Sequence, residues 1–132
     1  MVDYWKIDRE LIKRVTRNAR LKLSEEEIEK SFQIAKSMGA KILAGGIGEK
    51  LIPKAYQLCQ KYRIGLAFEN HPGMEVPGKI QRMINNKGNW FGATVDTGWF
   101  ATFGIDPEEA IQKLGKSVFH VHLKDIKEVG KH

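Results

Sequence analysis

Two carboxylates and one imidazole stand at matching positions in successive apolar runs of this sequence. Glu69 ends the run at 64–69, Asp96 ends the run at 90–96, and His122 lies near the end of the run at 117–123. Together with Gly45, which ends an earlier run, they are spaced about 24 to 27 residues apart, the length of one strand and one helix. Because parallel strands end at the same edge of a sheet, we expect the three side chains to meet there.

The residues within these runs alternate between two kinds of face. The bulky apolar residues share one parity, namely Ile64, Leu66 and Phe68, then Phe91, Ala93 and Val95, then Phe119, Val121 and Leu123. The opposite parity carries small or polar residues, namely Gly65, Ala67 and Glu69, then Gly92, Thr94 and Asp96, then His120, His122 and Lys124. A doubly wound sheet needs two apolar faces. One apolar face therefore favours a barrel whose inner face lines a polar pocket.

The three residue types predict a divalent-metal site. Two carboxylates that face each other in a pocket repel, and one must take up a proton unless a cation lies between them. An imidazole beside them completes a set of two oxygen ligands and one nitrogen ligand. This set suits Mn²⁺, Mg²⁺, Fe²⁺, Co²⁺ or Zn²⁺, and the mixture of carboxylate and imidazole favours Mn²⁺. The alternative is a hydrogen-bonded cluster of Glu69, Asp96 and His122 with a purely structural role.

Alternating helices and strands bring these positions together. Ser24 opens a capping box for a helix that ends at Gly39, and Asp106 with Pro107 starts another that runs to Gly115. Further helices are predicted at 51–63 and 79–84, with strands at 41–44, 64–69, 90–96 and 117–123. This order predicts an α/β fold, a partial (β/α) TIM barrel with about four parallel strands. The glycine loop 45–48 lacks the Lys-Ser/Thr of a phosphate-binding loop and is interpreted as a plain turn.

Composition and charge restrict the function classes. The 132 residues fit one domain, 1–132, without a run of 18 apolar residues or a secretory leader, so we predict neither a membrane span nor secretion. About +4 of the formal charge of +6 lies in 1–22, a basic segment with a weak helix pattern at 8–15, which favours a solvated face over a nucleic-acid site. The lone Cys59 predicts a packed thiol in a reducing compartment, the cytoplasm.

Three ordered motifs occur between residues 23 and 125. They are Phe68-Glu69-Asn70-His71, Asp96-Thr97-Gly98-Trp99 followed by Gly104-Ile105-Asp106-Pro107, and His120-Val121-His122-Leu123-Lys124-Asp125. These motifs resemble the sugar phosphate isomerase/epimerase family of xylose-isomerase-like TIM barrels. The resemblance implies a divalent metal at the barrel mouth with Glu69, Asp96 and His122 as ligands. It also implies proton transfer next to a sugar carbonyl through an enediolate, with Glu69 as a catalytic residue.

The same resemblance implies contacts with a sugar or sugar phosphate. His71 and Lys124 match positions suited to substrate oxygens, although His71 could equally brace Glu69, and Lys124 could pair with Asp125 or Glu69. Trp99 stands where the family often has His, so an aromatic ring that could stack on a sugar or simply pack replaces a polar contact. This departure disfavours the related multi-zinc DNA-repair endonucleases, which need additional histidine ligands.

The resemblance covers about half a barrel. In relatives, a Glu at the end of the eighth strand is the fourth metal ligand and the second acid-base residue, and this sequence has no counterpart of it. We therefore expect an isomerase or epimerase that is truncated, or alternatively a non-catalytic barrel fragment that binds metal or sugar as an interaction module. Because a half barrel exposes strand edges, we also expect self-association into a homodimer that buries them, or alternatively a fragment that packs irregularly.

Overall fold

The computed structural model describes residues 23–71, 74 and 76–127. The helices are α1 (Glu25–Ser37), α2 (Ile52–Tyr62), α3 (Pro77–Ile84), α4 (Thr97–Thr102) and α5 (Pro107–Leu114). The strands are β1 (Ile42–Ala44), β2 (Gly65–Glu69), β3 (Phe91–Asp96) and β4 (Val118–His122). None of these helices is both long and apolar enough to cross a bilayer. The weak helix pattern at 8–15 lies outside the described residues, and the assignment of 1–132 to one domain stays a prediction.

The four strands form one parallel sheet in the order β1-β2-β3-β4. Helical segments follow each of the first three strands and return the chain to the start of the next, as the crossover between parallel strands requires. This arrangement is half of an eight-stranded barrel, and it confirms the predicted partial (β/α) TIM barrel. The sequence patterns located all four strands, and their ends differ from the prediction by at most one residue.

Local capping signals begin and end two of the helices where the sequence predicted. The Ser24 hydroxyl accepts a hydrogen bond from the Glu27 backbone N–H, and the Glu27 carboxylate accepts one from the Ser24 N–H, which completes the capping box before α1. Asp106 accepts hydrogen bonds from the N–H groups of Glu108 and Glu109 at the start of α5. Gly39 follows α1 with a φ of +72°, a conformation that glycine adopts without strain.

The helix α4 was not predicted from the sequence. It follows β3 directly, and its residues Thr97–Thr102 include a glycine, two threonines and two aromatic residues, all of which have modest or poor helix propensity. Its N-cap is Asp96, whose carboxylate accepts a hydrogen bond from the Trp99 N–H at 3.1 Å. An aspartate three residues before this N–H is a recognisable N-cap signal. The strand pattern that ends on Asp96 concealed it.

The hydrophobic core lies between the sheet and the helices. Leu66, Phe68, Phe91, Ala93 and Val95 alternate along β2 and β3 on the helix-facing side and are at most 4% exposed. Phe68 and Phe91 meet edge to face across these strands, with ring centroids 5.2 Å apart. The predicted apolar parity of these two strands is therefore confirmed. It leaves Gly65, Ala67, Gly92 and Thr94 on the inner face of the half barrel.

The Cys59 thiol is part of this core. The side chain is fully buried on α2, and burial raises its pKa to about 12. The thiolate, which is the reactive form, is therefore scarce at physiological pH. The predicted packed thiol is confirmed.

The prediction for β4 was wrong at Phe119 and Leu123. The register passes from Ala93 opposite Val118 to Thr94 opposite His120, which leaves Phe119 as an extra, unpaired residue. Such a bulge reverses the side on which the following residues point. Val118 pairs with Ala93 and packs toward the helices, so the Phe119 ring points inward across Gly65 and Gly92, and the bulge then leaves His122 on the same inner face. Leu123 follows the end of β4 and is 84% exposed.

We predict that Gly92→Ala lowers the free energy of unfolding by about 1–3 kcal/mol, the usual range for a methyl group forced into filled space. A Cβ added at Gly92 would overlap Phe119 Cγ, and this atom is close to the backbone and cannot move without the whole ring. The matched control is Gly46→Ala, because a Cβ there meets no atom within 4 Å. Chemical denaturation of the two variants measures the difference.

The same experiment includes Phe119→Ala in the Gly92→Ala background. Removing the ring frees the space that the new methyl group needs, so the cost of Gly92→Ala becomes smaller in the double variant. Equal costs with and without the ring would contradict the inward position of the Phe119 side chain.

Candidate metal centre

Three strand ends bring Glu69, Asp96 and His122 together. These residues are the last of β2, β3 and β4, respectively, and each lies on the inner face of the sheet. One ligand atom from each residue lies within 4.8 Å of the other two. In the part of the chain that the structure describes, this is the group of acidic and imidazole side chains arranged closely enough to hold an ion. The equal spacing in the sequence therefore corresponds to proximity in space.

The Glu69 carboxylate is held by two histidines, one on each oxygen. Oε1 lies 2.9 Å from His122 Nδ1, and Oε2 lies 2.9 Å from His71 Nε2. The Glu69 side chain is only 13% exposed, and these two contacts replace hydrogen bonds with water that burial has removed. His71 thus braces Glu69, which was one of the two alternatives for this residue. The other alternative stays open, because the His71 side chain is 57% exposed.

The Asp96 side chain is fully buried and is surrounded by positive charge and N–H dipoles. Oδ1 accepts the Trp99 N–H, Oδ2 lies 2.5 Å from Lys124 Nζ, and Oδ2 is 3.9 Å from His122 Nδ1. Burial is the largest single influence and acts to raise the pKa of Asp96. The Lys124 ammonium and the N–H groups of Trp99 and Gly98 together outweigh it and lower the pKa of Asp96 below its ordinary value. The carboxylate is therefore ionised at neutral pH.

Lys124 pairs with Asp96, not with Asp125 or Glu69 as the sequence suggested. The Asp96 carboxylate raises the pKa of Lys124 above its ordinary value. The lysine stem passes close to α4, where a Cβ on Gly98 would be 2.9 Å from Lys124 Cβ. Glycine at position 98 thus leaves the room that Lys124 needs to reach Asp96.

An aromatic wall borders the site at Trp99. The Trp99 ring stacks on Phe103, with centroids 5.9 Å apart and planes 20° from parallel, and its other neighbour is His71 at 5.6 Å. Trp99 is partly exposed. The predicted substrate residues His71, Trp99 and Lys124 therefore all lie within the surroundings of Glu69 and Asp96.

Sequence reasoning assigned no role to Asn70, which is completely buried. Its side chain donates from Nδ2 to the Asp96 carbonyl at 2.9 Å and accepts the Asp96 N–H at Oδ1 at 2.6 Å. The sequence showed only that an amide lies next to the candidate ligand Glu69. This position does not reveal that the hydrogen-bond partner of Asn70 is Asp96, 26 residues away.

Thr97 makes a similar connection on the other side of Asp96. Its hydroxyl accepts the Lys124 N–H at 2.9 Å and lies 3.1 Å from the Lys124 carbonyl and 3.3 Å from the His122 carbonyl. This role was also not predicted, because it depends on the position of α4 relative to β4.

The residues fit a small divalent cation. Ligand oxygens and nitrogens lie about 2.1 Å from such an ion, so two of them are at most about 4.2 Å apart. The observed limit of 4.8 Å needs a contraction of about half an ångström, which small rotations of the partly exposed Glu69 and His122 side chains can supply. His122 Nδ1, which faces the Glu69 carboxylate, must be unprotonated when it serves as a ligand. Two carboxyl groups and one imidazole are a donor set suited to such an ion.

No protein-family model matches the chain. A curated relative, the rhizopine catabolism protein MocC of Rhizobium meliloti, is 32% identical over 82 residues, which are 61% of this chain and 25% of that protein. An uncharacterised protein from Parabacteroides distasonis has a solved structure that superposes with a TM-score of 0.67 at 27% identity, over 78% of this chain and 42% of that one.

Two further solved structures share the fold at lower identity. A xylose isomerase domain protein from Planctomyces limnophilus superposes with a TM-score of 0.61 at 17% identity, over 81% of this chain and 44% of that one. The 3-keto-D-glucoside 4-epimerase of E. coli superposes with a TM-score of 0.60 at 11% identity, over 76% and 50%, respectively. This chain thus spans half or less of each of these proteins. It has the fold of the xylose-isomerase-like sugar phosphate isomerase/epimerase barrels, of which it forms about half.

Proposed function

We propose that this chain carries the metal-binding half of a sugar or sugar-phosphate isomerase or epimerase site. The observation that carries the proposal is the convergence of Glu69, Asp96 and His122 at three neighbouring strand ends. The sugar-isomerase and epimerase names among the structural neighbours support the substrate class. A divalent cation held by these residues, with Mn²⁺ as the first candidate, would polarise a substrate carbonyl and acidify the adjacent C–H bond.

The two oxygens of Glu69 suit two tasks. Oε1 faces His122 and is the oxygen placed to join the ligand set. Oε2 faces His71, and we infer that this oxygen takes the proton from the carbon next to the carbonyl. His71 would orient the carboxylate and, through its exposed side chain, contact a substrate oxygen. The reaction class is therefore proton transfer next to a carbonyl.

Three neighbours of the ligands are proposed to bind the substrate. Trp99 offers a partly exposed indole beside His71, on which a sugar ring could stack. Lys124 lies beside Asp96, and more than half of its side chain is exposed. We propose that its ammonium stabilises negative charge on a substrate oxygen while it remains close to Asp96.

We predict that Mn²⁺ binds the metal-stripped chain saturably with about one ion per chain, since the three ligands form one site. Glu69→Gln removes one charged ligand without changing the shape of the side chain, so binding becomes about tenfold weaker or more. Isothermal titration calorimetry measures both affinities. Glu26→Gln, on an exposed face of α1, is the matched control and leaves the affinity unchanged.

The structural alternative predicts a different result. If Glu69, Asp96 and His122 only form a hydrogen-bonded cluster, Glu69→Gln lowers the melting temperature and no Mn²⁺ binds to either protein. That outcome would overturn the metal proposal.

We predict that the Mn²⁺-loaded protein catalyses exchange of the proton next to the carbonyl of at least one ketopentose or ketohexose in D₂O. Proton NMR detects this step as loss of a carbon-bound proton signal, even when no net isomerisation follows. Glu69→Gln abolishes the exchange because it removes the base, whereas Glu26→Gln retains it. Binding of Mn²⁺ without exchange on any sugar of the panel would favour the non-catalytic binding fragment.

We also propose that the half barrel self-associates through the edges of the sheet. Among the described residues, neither β1 nor β4 has a partner on its outer side. Ile34 on α1, Met38 just after it and Ile42 on β1 are exposed near one edge, and Leu123 is exposed near the other. An unpaired parallel edge flanked by apolar side chains favours pairing with another strand.

Light scattering tests this proposal, with an expected mass of about twice the 15.0 kDa of one chain. Ile42→Lys puts a charge beside the β1 edge and shifts the equilibrium toward the monomer. The exposed Gln112→Lys adds the same charge on the helix α5 rather than on an edge strand, and leaves the mass unchanged. A monomer at every concentration would refute the association.

A further inference from the structure

The backbone ladders of the sheet stop at the metal-ligand positions. The pairing of β2 with β3 ends at Glu69 opposite Thr94, and the pairing of β3 with β4 ends at Asp96 opposite His122. The three candidate ligands thus lie at the last paired positions of the strands, and backbone pairing does not continue beyond them to fix the distance between neighbouring strand ends.

Asn70 continues the connection between β2 and β3. This residue directly follows Glu69, and its amide makes one donor and one acceptor hydrogen bond with the main chain of Asp96. The main chain of a neighbouring strand would form the same pair of hydrogen bonds with Asp96, so the Asn70 amide takes the place of a paired strand residue. Since Asn70 is fully buried, water does not compete for them. The main chain at Asp96 is thereby attached to the residue next to Glu69.

Thr97 continues the connection between β3 and β4. This residue directly follows Asp96. Its hydroxyl accepts a hydrogen bond from the Lys124 N–H and donates toward the carbonyls of Lys124 and His122. The main chain just after His122 is thereby attached to the residue next to Asp96.

The two attachments form a series through the site. Glu69 is followed by Asn70, which holds Asp96, and Asp96 is followed by Thr97, which holds the segment of His122 and Lys124. Neither Asn70 nor Thr97 contributes an atom to the ligand set. We propose that Asn70 and Thr97 are positioning residues that set the separations of the three metal ligands. This inference rests on the metal site proposed above.

The separation of the ligands is a sensitive quantity. Ligand atoms on one ion are at most about 4.2 Å apart, so a strand end that moves by about an ångström removes its ligand from reach. Groups that orient ligands without touching the metal typically change its affinity by about 10- to 100-fold when they are replaced. Loss of either attachment should therefore weaken metal binding more than its effect on overall stability explains.

Mn²⁺ titration calorimetry on the full chain, well below the melting temperature of every variant, tests this inference. Asn70→Ala and Thr97→Val each remove one attachment, and we expect each to weaken Mn²⁺ binding about tenfold or more. Thr97→Ser keeps the hydroxyl and restores the affinity to near that of the natural chain. Ile28→Val and Leu58→Ala in the core distant from the site lower the melting temperature but leave the affinity within about twofold.

Three other outcomes would contradict the inference. If the natural chain binds Mn²⁺ and Asn70→Ala and Thr97→Val bind it equally well, the positioning role is wrong while the metal site stands. If affinity falls in proportion to melting temperature in all variants, including the core controls, the residues act only through stability and the inference is overturned. If the natural chain binds no Mn²⁺, the proposed function fails and the inference fails with it. Should Asn70→Ala not fold, the comparison of Thr97→Val with Thr97→Ser decides.

Discussion

Two carboxyl side chains, Glu69 and Asp96, must lie close together at the end of an otherwise apolar sheet, and much of the structure follows from this constraint. Asp96 is completely shielded from water, and Glu69 nearly so. A buried carboxylate is costly unless charges or hydrogen bonds compensate for the lost water. The ammonium of Lys124, the first N–H groups of α4 and the two histidines beside Glu69 supply this compensation. The cluster is therefore stable as it stands and also has the composition of a cation site.

The inner face of the half barrel depends on a second constraint, the space taken by Phe119. The register shift in β4 turns this ring over Gly65 and Gly92, and neither position could carry a side chain without displacing it. The small residues on the inner face thus have a packing reason as well as a place in the alternation. The bulge also separates the small and apolar residues of the inner face from His122 and the other polar residues at the strand ends. The candidate site therefore lies next to a layer filled by the Phe119 ring, whereas the sequence had predicted an open polar pocket on this face.

Much of the fold could be predicted from the sequence because its signals are local. Period-two alternation identified β2 and β3, while Ser24 with Glu27 and Asp106 with Pro107 marked helix starts through hydrogen bonds that span only two or three residues. The candidate ligands were predictable for the same reason. The repeat length of a strand and a helix, together with the parity of each strand, places Glu69, Asp96 and His122 on one face at one edge without any long-range information.

The remaining features depend on contacts between residues far apart in the chain. The sequence determined which side chains are candidates for the chemistry and the class of fold that presents them. Only the tertiary structure decided that Lys124 pairs with Asp96, that Phe119 turns inward, and that Asn70 and Thr97 hold strand ends across separations of 25 to 27 residues. An amide or a hydroxyl group can form equivalent hydrogen bonds with many different backbone groups. Its choice among them depends on the twist of the sheet, a one-residue change of register and the path of α4, and no local pattern specifies these three together.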